Sequence, residues 1–141
     1  MSNKDVAKAF RDGRPAKTRN MFSTGDAVYS YGWHYCIARR QADGTVLMAC
    51  RPYSVSTARH CLEVSRVLSD YISVWNPDWP AAMNLEKMEE GEQEYEQRVG
   101  RSRTRRDVWK SLLNETRENK ARYIEFTGCA VNNNLKRDFD Y

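Results

Sequence analysis

Histidine is the scarcest chemically versatile residue in this chain, with His34 and His60 the only two among 141 residues. Acid–base or metal chemistry based on imidazole is confined to those two positions. Cysteine numbers four (Cys36, Cys50, Cys61 and Cys129), and no two have the Cys-x-x-Cys spacing of a zinc knuckle or a dithiol redox centre. The chain lacks a glycine-rich phosphate loop, a nucleophile elbow and any internal repeat. It also lacks an apolar run long enough to cross a bilayer, and its first residues, Met-Ser-Asn-Lys-Asp, lack the apolar core of a secretion signal. These absences predict a cytoplasmic protein without membrane contact, whose thiols stay reduced.

What is present is charge in blocks and aromatics in one short run. The net charge is +4, but residues 1–20 carry six basic side chains against Asp5 and Asp12, and residues 86–96 hold six glutamates and one lysine. Residues 101–122 then carry eight basic side chains against Asp107, Glu115 and Glu118. Acidic and basic blocks so close together can neutralise each other, and internal pairing is the expectation for this half of the chain.

Residues 29–35 read Tyr-Ser-Tyr-Gly-Trp-His-Tyr. On one extended strand the four aromatics would share a face, either a core wall or a stacking platform. Gly32 argues for a turn in the middle, giving a hairpin with Tyr29 and Tyr31 on one strand and Tyr35 on the next. A second hairpin is marked by Ala42-Asp43-Gly44. A two-residue turn there sets Cys36 opposite Arg51, a three-residue turn with a glycine bulge sets it opposite Cys50, and Ala-Asp-Gly suits the latter.

The predicted fold class is α+β: a three-stranded antiparallel meander over about 27–51, with Tyr123–Phe126 as a possible fourth strand, packed against two or three helices. Cys61, Val64, Leu68, Tyr71 and Trp75 follow three-and-four spacing and predict a helix over about 57–75, stopped by Asn76-Pro77. Apolar spacing resumes over about 81–99, and Thr104 with Asp107 has the capping-box arrangement for a helix over about 105–122. Residues 1–20, broken by Gly13 and Pro15, read as a mobile basic arm, and 21–141 as a single domain.

A Tyr-Gly turn (Tyr29, Ser30, Tyr31, Gly32), His34, Ile37-Ala38, a hairpin glycine at Gly44, and Tyr53-Ser54 with Thr57 and His60 form a spaced pattern over residues 22–64. The pattern resembles small uncharacterised proteins encoded by tailed bacteriophages. That resemblance implies a phage accessory protein acting in the cytoplasm of an infected host cell. It carries no activity, cofactor or catalytic residue, so Tyr29, Tyr31, Gly32, His34, Tyr53, Ser54, Thr57 and His60 form a motif of unassigned role.

The residues offer three chemistries. His34, Cys36, Cys50, His60, Cys61 and Cys129 include zinc-ligand types, but scattered cysteines in a reduced domain pack as small hydrophobes, so no metal or cofactor is assigned. A small enzyme would need His60 beside a cysteine, whereas the simpler reading is that His60 hydrogen-bonds across to Tyr53, Ser54 or the sheet. Binding needs least. Trp75 and Trp79 flank a proline-bounded corner, and Arg101, Arg103, Arg105, Arg106 and Lys110 cluster before a helix, so these seven are the candidate partner-binding residues. The expected activity is non-enzymatic binding of a host or phage macromolecule, foremost a protein, with inhibition of a host defence or regulatory complex as its outcome. The alternative is nucleic-acid binding through residues 101–110.

Overall fold

The computed structural model describes residues 1–33, 35–49 and 55–128, so His34, Cys50, Tyr53, Ser54 and Cys129 lie outside the described residues. The protein is α+β, and it divides into two compact units, Met1–Asp78 and Trp79–Tyr141.

The first unit begins with helix α1 (Asn3–Arg11), where a basic arm is expected. Its cause is legible in the residues. Ser2 caps the helix by accepting from the Asp5 backbone N–H at 3.2 Å, while the Asp5 carboxylate accepts from Ser2 N at 2.9 Å. Val6 and Phe10, one turn apart, are fully buried. Gly13, at φ +75°, then turns the chain into strand β1 (Pro15–Lys17).

Strands β2 (Met21–Thr24), β3 (Ala27–Ser30), β4 (Cys36–Arg40) and β5 (Val46–Ala49) extend the sheet, each antiparallel to the one before. Between β4 and β5 Arg40 pairs with Val46 across Ala42-Asp43-Gly44, with Gly44 at φ +91°, the three-residue turn that the sequence favours. Helix α2 (Val55–Val67) then crosses over, and β6 (Ile72–Val74) pairs parallel to β5. The six strands lie in chain order.

The predicted helix over 57–75 is thus a shorter helix followed by a strand. Its periodic residues still reach one core, since Cys61 and Val64 from α2 and Leu68 and Tyr71 beyond it all pack into the same cluster. The β-branched alternation Ile72-Ser73-Val74, buried at both ends, fits the sheet edge better than another helical turn.

A bulge decides which side of the sheet each β4 residue faces. Val28 pairs with Ala38 but Tyr29 pairs with Cys36, which leaves Ile37 as the extra residue. Ile37 and Ala38 therefore both join the core beneath α1 and α2, whereas Cys36 joins Tyr29 and Ala27 on the opposite face.

In the second unit, α3 (Ala81–Arg101) and α4 (Arg106–Thr127) form a helical hairpin. Contacts pair early α3 with late α4, as between Asn84 and Tyr123, and late α3 with early α4, as between Tyr95 and Trp109. The run Tyr123–Phe126 belongs to α4, not to a fourth strand, and Gly128 at φ +73° ends the helix with its N–H on the Ile124 carbonyl. The expected capping box at Thr104 does not form. Arg105 occupies the cap position without a side-chain bond, and its N–H is taken by the Ser102 hydroxyl at 3.0 Å.

Candidate functional site

The four aromatics of residues 29–35 are divided among three environments. The turn among them holds Tyr31 in the left-handed region, at φ +64°. Tyr35 is buried in the core under the helices. Tyr29 lies on the opposite face, stacked on Phe22 at 4.9 Å between ring centroids, and Trp33 closes over both while remaining 70% exposed. Arg39 joins this face by donating to the Tyr29 hydroxyl at 2.7 Å and to Asp78 at 2.6 Å.

Thr57 and His60, on the inward side of α2, meet Ser30 on β3. Ser30 Oγ and His60 Nδ1 share a hydrogen bond of 2.7 Å, and Thr57 Oγ1 stands 3.4 Å from the same hydroxyl. The expected bond from His60 to the sheet is therefore found, with Ser30 as its partner. Burial lowers the His60 pKa from the ordinary value of 6.5, keeping the ring neutral near pH 7.

A hydroxyl beside an imidazole is half of a nucleophilic constellation. Ser30, however, is 1% exposed, which leaves a substrate carbon no approach. Pairing of His60 with Cys36, the enzymatic alternative open to the described residues, is corrected by the bulge: Cys36 faces the opposite side of the sheet. Burial, followed by the negative charge of Asp78, pushes its thiol up to about 12, so it is not a thiolate at neutral pH. Cys61 is buried in the core between α2 and the sheet.

The burial of His60 has a measurable consequence. Because the folded pKa of His60 lies below its unfolded value, the unfolded chain binds more protons on acidification. Its contribution to stability is full above pH 6.5 and is lost as pH falls from there through the folded pKa. In thermal melts from pH 7.5 to about 5, His60→Gln should show a shallower fall than the natural chain; equal slopes would contradict this role.

The partner-binding candidates are dispersed. Trp75 lies near the end of the first unit and Trp79 opens the second, both half-buried and both engaged within the protein. Arg101, Arg103, Arg105, Arg106 and Lys110 are all exposed at the tip of the α3–α4 hairpin. The expected neutralisation of this cluster by the glutamates is not what occurs. Glu92 and Glu96 pair with Arg117, Glu92 also with Lys120, Glu94 with Arg98, and Glu90 with Lys87. Among the described residues the five tip cations make no ion pair, and Arg106 donates only to the Val99 carbonyl at 3.2 Å.

Helix geometry explains this division. In an antiparallel hairpin, the glutamates in the middle of α3 face the middle of α4, where Arg117 and Lys120 stand; residues at the turn have no opposing helix to meet. Beside the cations, Arg98 lies over the Trp109 ring at 4.7 Å, and Val108 is 53% exposed. A shallow cavity of about 480 Å³ is lined here by Glu94, Arg98, Arg101 and Trp109. The tip thus combines positive charge unpaired among the described residues with a small apolar patch.

Comparisons with protein-family models, curated proteins and solved structures return no match to this chain. Among the described residues, no helix is long and apolar enough to cross a membrane.

Proposed function

We propose that the protein is a non-enzymatic binding protein whose hairpin tip docks on an acidic face of a protein partner. The observation that carries this reading is the cluster Arg101, Arg103, Arg105, Arg106 and Lys110, which makes no ion pair among the described residues, beside exposed Val108 and the Arg98–Trp109 stack. Arginine next to tryptophan and an exposed aliphatic is the composition of an interface hot spot, where charge orients the partner and apolar contact holds it. With the phage resemblance of residues 22–64, the reading extends to an accessory protein that occupies a host or phage protein, blocking a defence or regulatory complex.

A second reading rests on the same free charge. Four arginines and a lysine without acidic partners among the described residues also suit phosphate contacts, and this hairpin would then bind nucleic acid. The two readings differ in salt and nuclease response. For the protein partner, capture from infected-host lysate should survive nuclease, remain stoichiometric, and fall at least about a hundredfold with Arg103→Glu plus Arg105→Glu. Both residues are exposed, so folding should change by no more than about 0.5 kcal/mol. Loss of the partner on nuclease treatment, together with direct binding to generic DNA or RNA that weakens steeply with salt, would transfer the function to the second reading. Capture unaffected by the charge reversal would remove the tip from both.

A further inference from the structure

A separate cleft of about 550 Å³ opens in the first unit between the start of α1 and the first half of α2, within the size range of small-molecule sites. Its lining includes Lys4, Asn20, Tyr31, Ser56, Arg59 and His60. Three properties set it apart from an ordinary surface hollow.

The first is a polar edge that an otherwise buried side chain turns to the cleft. His60 is 4% exposed, and Ser30 occupies its Nδ1. Nε2 makes no hydrogen bond among the described residues, and His60 lines the cleft, so this edge is left for whatever enters. The second is the backbone of Tyr31, held at φ +64°, a conformation that residues with a side chain seldom adopt and that clusters at functional positions. It is fixed there by donation of its N–H to the Asn20 carbonyl at 2.8 Å. The result is a ring packed over His60 at 5.2 Å yet 54% exposed. The third is charge: Lys4 and Arg59 make no ion pair among the described residues, while Glu63, the acidic group of the lining, is within 3.6 Å of Arg66.

A ligand complementary to this set carries a flat π-system for the tyrosine ring, a multiply charged anion for the two cations, and hydrogen-bonding groups for the imidazole and the Asn20 amide. We propose that the cleft binds a nucleoside monophosphate, with its base on Tyr31, its phosphate on Arg59 and Lys4, and a polar contact to His60 Nε2. Ser56 and Glu63 remain for sugar hydroxyls. The site uses residues of the first unit alone, and its occupancy needs no macromolecular partner.

Calorimetric titration of the full-length protein with AMP, GMP, CMP and UMP, and with the matching nucleosides and inorganic phosphate, tests it. At least one monophosphate should bind one-to-one with Kd below about 1 mM, and at least about tenfold more tightly than its nucleoside or phosphate alone. Arg59→Gln should weaken it at least about tenfold. Tyr31→Gly removes the ring and also suits the left-handed backbone, so it should abolish binding without lowering Tm, separating loss of the site from loss of the fold. Arg103→Gln with Arg105→Gln should leave Kd unchanged. Absence of binding at about 5 mM of every monophosphate, equal affinity for phosphate alone, or binding that follows the tip arginines in place of Arg59 and Tyr31 would overturn the assignment.

Discussion

Phe10→Ala is expected to destabilise the first unit by about 3–5 kcal/mol, enough to remove most of the stability of an ordinary domain. Phe10 is fully buried in the cluster that joins α1 to the sheet, in company with Val6, Met21, Val28 and Ile37. Truncating it removes the transfer energy of an aromatic ring and leaves a cavity that the surrounding strands, tied by their ladders, cannot close. Urea unfolding followed by circular dichroism would measure the loss. A mobile arm would instead tolerate the change within about 0.5 kcal/mol, and that outcome would show that α1 is not part of the folded unit.

Arg40→Met should cost about 2–4 kcal/mol through a different mechanism. The Arg40 guanidinium donates to the Gly25 and Phe10 carbonyls, each at 2.6 Å, and to the Arg11 carbonyl at 3.3 Å. Its cationic centre also lies 4.6 Å from the Phe10 ring centroid. Two of those carbonyls belong to the last turn of α1, where helical oxygens lack intrahelical donors, so one side chain from β4 caps the helix and anchors it to the sheet. Methionine keeps the apolar stem but leaves the oxygens without their charged donor. Arg40→Lys should recover part of the loss, because an ammonium can reach some of the carbonyls but cannot fork between them. Since Arg40 and Phe10 touch, the double variant should lose less than the sum of the single losses, the signature of a shared contact in a mutant cycle.

The residues that make α1 were readable in part. Ser2 and Asp5 have capping-box spacing, and Val6 and Phe10 stand one turn apart, yet six basic side chains and the breakers Gly13 and Pro15 favour an arm when only local pattern is weighed. The deciding term was non-local: Arg40, thirty residues away from Phe10, supplies the cap, and the sheet supplies the surface that the apolar side buries. Similar reasoning applies to residues 72–74. Local spacing continues the helix through Tyr71 and Trp75, but the free edge of β5 offers backbone partners that a further helical turn cannot use, and Ile72 pairs with Leu47.

The candidate sites divide in the same way. Thr57 and His60 stood out in the spaced pattern of residues 22–64, and Tyr53, Ser54 or the sheet was the expected partner of His60, but Ser30 itself depended on the turn after β3. Asn20, Lys4 and Arg59 gave no sequence signal, because polar residues far apart in the chain acquire a shared role only when α1 and α2 lie on one side of the sheet. The acidic and basic blocks were plain in the sequence, as was their capacity to pair, but which cations were consumed was a matter of helical register.

By itself, then, the sequence determined the α+β class, the two hairpins, the turn geometry of the second of them, both long helices of the second half and the cationic cluster between them. All of these follow from local spacing, turn residues and charge density, which act over a few residues. Only the tertiary structure decided that the first residues are core, that one bulge turns Cys36 away from His60, that Tyr31 carries the left-handed turn, and that the described glutamates pair elsewhere than with the cations of the hairpin tip. Those outcomes depend on which surfaces compete for burial and which ions stand opposite one another, and neither quantity exists until distant segments have met.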